Sequence, residues 1–160
     1  MKFKKMDPED ELYVAILDKA EKMGLTQFMD IQPRYMVKPQ KSSVGAVYKW
    51  NDVSATLTGS DDTIVIGVYG EAFDRVDEET KDFWLDSILH LVGYDFEKDK
   101  IVVNKDLVLS LVELYQKYGE KAVTMKELEI HTIQMIAEEE KARKEEEKAA
   151  KKERKNSFLN

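Results

Sequence analysis

Two side chains able to take part in metal or acid–base chemistry stand four residues apart, Asp86 and His90, and carboxylates follow at Asp95, Glu97 and Asp99. On a helix, residues i and i+4 share a face, so Asp86, His90 and a carboxylate of the following turn, Asp95 first among them, could hold zinc. Such a set would make a metal-dependent hydrolase, a peptidase, of non-standard ligands. Its general base would have to come from the same few carboxylates, which weakens that case. The plainer reading is a helix-face hydrogen bond or a partly solvated pair, with no cofactor and no catalytic residue.

The acidic run also has the odd-position spacing of a calcium loop, with Asp106 at the twelfth position. Lys100, however, stands where such a loop needs glycine, and aspartate is shorter than the usual bidentate glutamate. The run therefore reads as a tight acidic turn. The second histidine, His131, falls one helical turn from Leu128 and Met135 and reads as boundary packing. With two histidines and no cysteine, the chain offers no nucleophile triad, no thiolate zinc site and no disulfide. Gly59, Gly67 and Gly70 match no phosphate-binding loop.

The elements that must position these residues follow from periodicity. Asp7-Pro8 predicts a helix start, with Asp as N-cap and Pro at the first helical position. Leu12, Ala15, Ile16, Lys19 and Met23 keep helical spacing up to a left-handed stop at Gly24. Over residues 25–43 the spacing fades, and Pro33 and Pro39 predict an irregular, packed connection. Strands are expected at residues 44–50, 53–58 and 63–69 as a small meander, with the last one central because it is apolar on both faces. Asp77 caps a helix whose first turn holds Glu78 and Glu79, and Trp84, Leu85, Ile88, Leu89, Leu91 and Val92 form its apolar face up to Gly93. After the acidic turn come a short strand at Ile101-Val102-Val103 and a helix with Leu107, Leu111, Leu114, Tyr115 and Tyr118 on one side, stopped by Gly119.

Thr124 and Glu127 make a capping box, with Val123 and Leu128 as its staple, and predict the start of a last helix with a stripe through Met125, Leu128, Thr132, Met135 and Ile136. Beyond Ala137 the stripe gives way to charge. Glu139–Arg143, Glu140–Lys144 and Glu147–Lys151 are favourable i,i+4 pairs that keep this part helical in solvent. The expected fold is α+β: a small, mostly antiparallel sheet packed by helices, with a long charged C-terminal helix. One domain is expected over residues 1–137, with a charged helical tail over 138–160.

Charge is unevenly placed. Residues 41–120 carry eight basic and sixteen acidic side chains, while the segments on either side are nearly neutral. A centre this acidic repels a phosphate backbone, so nucleic acid is not expected as a partner for the core. The end of the tail turns basic, with Lys148, Lys151, Lys152, Arg154 and Lys155 against Glu153. That end could touch nucleic acid or an acidic partner. The N-terminus turns acidic before any continuous apolar run and no window approaches a membrane span, so the expectation is a soluble cytoplasmic protein with no membrane partner.

Leu85-Asp86, Lys100-Ile101-Val102, the helix from Leu107 to Tyr118 and its closing Tyr118-Gly119 keep the order and spacing of one known pattern. Over residues 44–119 the chain resembles the phage metallopeptidase family, zincin-like proteins in which a few strands precede a helix bearing Leu-Asp-His-Glu-x-x-His. The resemblance implies that fold and, where the motif is whole, zinc peptidase chemistry. Here Ser87-Ile88 stand in place of His-Glu and Leu91 in place of the second His. Shifting the register by one brings His90 to the second ligand position but puts Asp86 at the first and Ser87 at the Glu. Zinc hydrolysis needs two imidazoles at i,i+4 and a glutamate beside the bound water.

The expected function is accordingly that of a phage-type accessory protein on a degenerate member of this scaffold, acting by binding a host or phage protein. Its contact residues would be Glu97 and Asp99 in the turn and Lys151, Lys152, Arg154 and Lys155 in the tail. If phage-encoded, it would act in the host cytoplasm. Two alternatives stand beside it: the metal-dependent peptidase using Asp86, His90 and Asp95, and an acidic mimic of nucleic acid that occludes a nuclease or polymerase.

Overall fold

The computed structural model describes residues 3–50, 62–103 and 107–159. The expected strand at 53–58 and Asp106 lie outside them. Strands β1 (Phe3–Lys5), β2 (Asp30–Met36), β3 (Gly45–Lys49) and β4 (Thr63–Val68) form one sheet in the order β1-β2-β4-β3. A separate hairpin pairs β5 (Val92–Asp95) with β6 (Lys100–Val103). The helices are α1 (Glu11–Lys22), the short α2 (Gly70–Phe73), α3 (Glu78–Leu89), α4 (Leu107–Tyr118) and α5 (Lys121–Leu159). This is an α+β fold with a small, mostly antiparallel sheet and a long C-terminal helix, as the periodicity predicts.

Strand β4 sits centrally, parallel to β2 and antiparallel to β3, with all six residues buried. Its apolar run on both faces suits that place, since both sides of the sheet are covered there. The sheet is not a simple meander, because β3 reaches β4 from the side away from β2. Strand β2 runs through Pro33, where an irregular connection is expected. Strand β1 pairs only with Arg34, Tyr35 and Met36, so among the described residues the outer side of β2 is open at Pro33 and a missing N–H breaks no ladder. Neither β1 nor β5 has a counterpart in the sequence reading.

Helix boundaries also move. Asp10, not Asp7, caps α1 by accepting the Leu12 N–H at 2.9 Å, while Asp7 holds the turn before it. Asp77 caps α3 as expected, accepting the Thr80 N–H at 2.9 Å. Helix α3 ends at Leu89, however, and Gly93 lies in β5 rather than at the helix stop. Gly119 adopts φ +65° and ends α4, after which the chain turns at once into α5. Thr124 is thus already inside α5 and is not its cap. The i,i+4 pairs expected in the tail do not form; Glu139 instead takes both Arg75 guanidinium nitrogens, at 2.6 and 3.0 Å.

Helix α3 is the hub of the core, touching α1, β3, α4 and α5, and its residues from Phe83 to Leu89 are all buried. Fully burying each large apolar side chain there contributes about 1.5–3 kcal/mol. Strand β3 comes so close that a Cβ on Gly45 would stand 2.1 Å from the Ile88 Cδ1. Helix α5 docks through Ala122, Met125, Thr132, Ile133 and Ile136 together with a buried carboxylate, Glu129. Met135 and Leu128 of the expected stripe stay partly exposed. The Trp84 Nε1–H donates to the Met125 carbonyl at 3.0 Å, and Glu129 accepts the Val44 N–H at 2.9 Å and the Lys126 ammonium at 3.0 Å. These polar contacts fix the rotation of α5 against α3 and β3. Among the described residues no helix is long and apolar enough to cross a membrane.

Candidate functional site

The pair that opens the sequence reading lies at the end of α3, and its groups face inward. Asp86 is only 4% exposed. One carboxylate oxygen accepts the Lys19 ammonium from α1 at 3.0 Å; the other accepts the Lys117 ammonium at 2.7 Å and the Tyr118 hydroxyl, both from the end of α4. Lys19 also lies 3.4 Å from Asp82, one turn earlier on α3. Burial alone would raise the Asp86 carboxyl, but the hydrogen bonds from Lys117, Tyr118 and Lys19 outweigh it and hold the group below the usual carboxylate range. The Tyr118 phenol is pushed up by burial and by the neighbouring Asp86 charge, so it stays a donor. The cluster pins α1, α3 and α4 together.

His90 caps the same helix. Its Nδ1 lies 2.6 Å from the Asp86 backbone carbonyl and its Nε2 3.1 Å from Glu113 of α4. The ring therefore meets the peptide oxygen of Asp86 and not its carboxylate. Asp95 is engaged in the β5–β6 turn, where it accepts the N–H groups of Glu97 and Lys98 at 3.0 and 3.2 Å. Asp86, His90 and Asp95 are thus held in three separate hydrogen-bonding arrangements. Among the described residues no group of three or more metal-ligating side chains is gathered. Lys19 is one of the partners that the sequence reading missed, with Lys117 and Glu113. The signal for Lys19 was its place on the apolar row of α1.

The acidic turn carries something the charge pattern conceals. Phe28, just after the short 3-10 turn at Leu25–Gln27, stacks on Tyr94 with ring centroids 5.0 Å apart, and Phe96 stands edge-on to both at 5.4 and 5.2 Å. Phe96 is 74% exposed. The Tyr94 hydroxyl donates to Asp99, whose carboxylate, with burial and the charge of Asp62 adding to it, raises the phenol to about 12. Asp99 itself sits at φ +49°, a left-handed conformation that aspartate tolerates better than most residues. Glu97 is exposed, and its side chain makes no hydrogen bond or ion pair among the described residues.

Among the described residues, open cavities stand beside the core. One of about 430 Å³ between α1 and α3 is lined by Glu9, Asp10, Glu11, Asp74, Glu78 and Asp82 with Lys81 and Tyr35. Another, of about 310 Å³, lies where α5 meets the start of α3 and includes His131, Thr132 and Arg75. Arg75 is already committed to Glu71 and Glu139. In the tail, Lys148, Lys151, Lys152, Arg154 and Lys155 are exposed and form no ion pair among the described residues. No family model, curated protein or solved structure matches this chain.

Proposed function

We propose that this chain is a binding protein rather than a catalyst: a phage-type accessory protein on a degenerate metallopeptidase-like scaffold. It engages a host or phage protein, in the host cytoplasm if phage-encoded, through the turn at Tyr94–Asp99 and the basic end of α5. What carries this reading is Phe96, a large ring held out in water on a turn that backbone and ring contacts hold in place. Asp95 caps the turn, Tyr94 is fastened to Asp99, and Phe28 backs the cluster. A ring kept exposed on a rigid mount is a ready anchor for a partner surface. The arrangement at α3 supports the same reading, because Asp86 and His90 already have partners and the Asp86 carboxylate is closed off from solvent.

The nucleic-acid mimic keeps one observation in its favour, the six carboxylates around the larger cavity. Salt separates the two: a mimic loses its partner steeply as salt rises, whereas the share of docking that the aromatic rings carry by apolar contact does not. The test is capture of partners from the native host by wild type, by Phe96→Ser/Glu97→Lys and by Lys151→Glu/Lys152→Glu, with bound proteins identified by mass spectrometry. A defined protein captured by wild type and lost from either variant is the expected result. Equal capture by all three overturns the assignment of these surfaces.

A further inference from the structure

We infer that the ring cluster on the β5–β6 turn receives the basic end of α5 from a second copy of the chain. The inference rests on the reading of turn and tail as binding surfaces and adds that each fits the other. The turn side offers the rings of Phe28, Tyr94 and Phe96, rimmed by the carboxylates of Asp62, Asp95, Glu97 and Asp99 against Lys98 and Lys100. Aromatic faces within a ring of net negative charge attract ammonium and guanidinium groups. The tail side offers Lys148, Lys151, Lys152, Arg154 and Lys155 against Glu153 alone, and these cations are exposed and form no ion pair among the described residues. It ends in two apolar side chains, Phe158 and Leu159, that are 91% and 83% exposed. Charge and apolar character match on the two sides.

The second copy, rather than the same one, is required by the helix. Helix α5 is continuous from Lys121 to Leu159, and every described residue after Glu140 is exposed. Its last twenty residues extend about 30 Å as a rod. Folding that rod back onto the body of its own chain would break the helix; reaching a neighbour does not. Exchange of tails about a two-fold axis uses both sites of both copies and closes the assembly at a dimer.

The experiment is sedimentation equilibrium of the full chain at up to about 100 µM in about 0.15 M and about 1 M salt. It is repeated with Phe96→Ser, Glu97→Lys, Lys151→Glu/Lys152→Glu, and the triple variant that combines the last two. All four sites are exposed, so the fold tolerates the changes, and circular dichroism checks this. The expected result is a dimer whose Kd rises at least about tenfold in high salt, in Phe96→Ser and in each charge variant, with recovery in the triple variant where the charges are exchanged. A monomer throughout, a dimer indifferent to any of the first three variants or to salt, or no recovery in the triple variant overturns the inference. None of these touches the binding-protein reading, which stands or falls on the capture experiment.

Discussion

Replacing Asp86 with alanine tests the central claim about α3, that this carboxylate is a structural pin. The substitution removes the acceptor of two ammonium groups and a phenol. Lys117 is 59% exposed and can turn to water, so its pair contributes about 0.5 kcal/mol. Lys19 is the costly one. Its side chain is 15% exposed, and the remaining neighbour, Asp82, is 3.4 Å away and largely solvated. Breaking a buried pair by removing one partner costs about 3–5 kcal/mol, and Asp82 keeps this case near the lower end, at about 3 kcal/mol. For a chain of this size that lowers Tm by about 6–12 °C.

Urea unfolding followed by tryptophan fluorescence reads the difference, with Lys117→Ala, expected to cost about 0.5 kcal/mol, as the control. The pH dependence gives a second check. Asp86 is held below its ordinary value in the folded state, so its contribution is full above the unfolded value of about 3.9 and is lost as pH falls through the lower folded one. The gap between wild type and Asp86→Ala should stay constant from about pH 8 to 5 and narrow below about 4. A cost under about 1 kcal/mol, or a gap unchanged at about pH 3, would refute the pin.

Glu129→Ala should cost about 2 kcal/mol, since it strands the buried Val44 N–H at the start of β3, and amide exchange of Val44 should accelerate with it; an unprotected Val44 in wild type would contradict the contact. Elemental analysis of chelator-treated wild type beside Asp86→Ala/His90→Ala is expected to find no stoichiometric zinc or calcium in either. A stoichiometric metal that the double variant loses would instead revive the hydrolase alternative and justify peptidase assays.

The elements that local chemistry dictates were legible in the sequence. Asp77 as a cap, the doubly apolar β4 and Gly119 as a left-handed stop follow from single residues and their neighbours. What escaped depends on contacts distant in the chain. Strand β2 exists despite Pro33 because β1, from the other end of a helix, leaves that side open. By spacing alone the start of strand β5 reads as the end of α3, because Gly93 is as good a helix stop as a strand residue. At the candidate site, Asp86 and His90 were visible as polar groups on an apolar helix. Their partners Lys19 and Lys117 lie 67 and 31 positions from Asp86, Glu113 lies 23 positions from His90, and all are fixed only by packing. The exposed rings were hidden inside what counts as an acidic turn by composition.

Helix α5 is also a lever. The Arg75–Glu139 contact grips it near the point where it leaves the body, and everything beyond is an unbranched arm of about 30 Å. A rotation of about 10° at that grip sweeps the far end through about 5 Å, the length of one helical turn. The guanidinium at the base thus bears, with the docked side chains before it, on the aim of a terminus it never touches, and small changes in α2 or at the start of α3 are magnified where Phe158 and Leu159 meet the solvent.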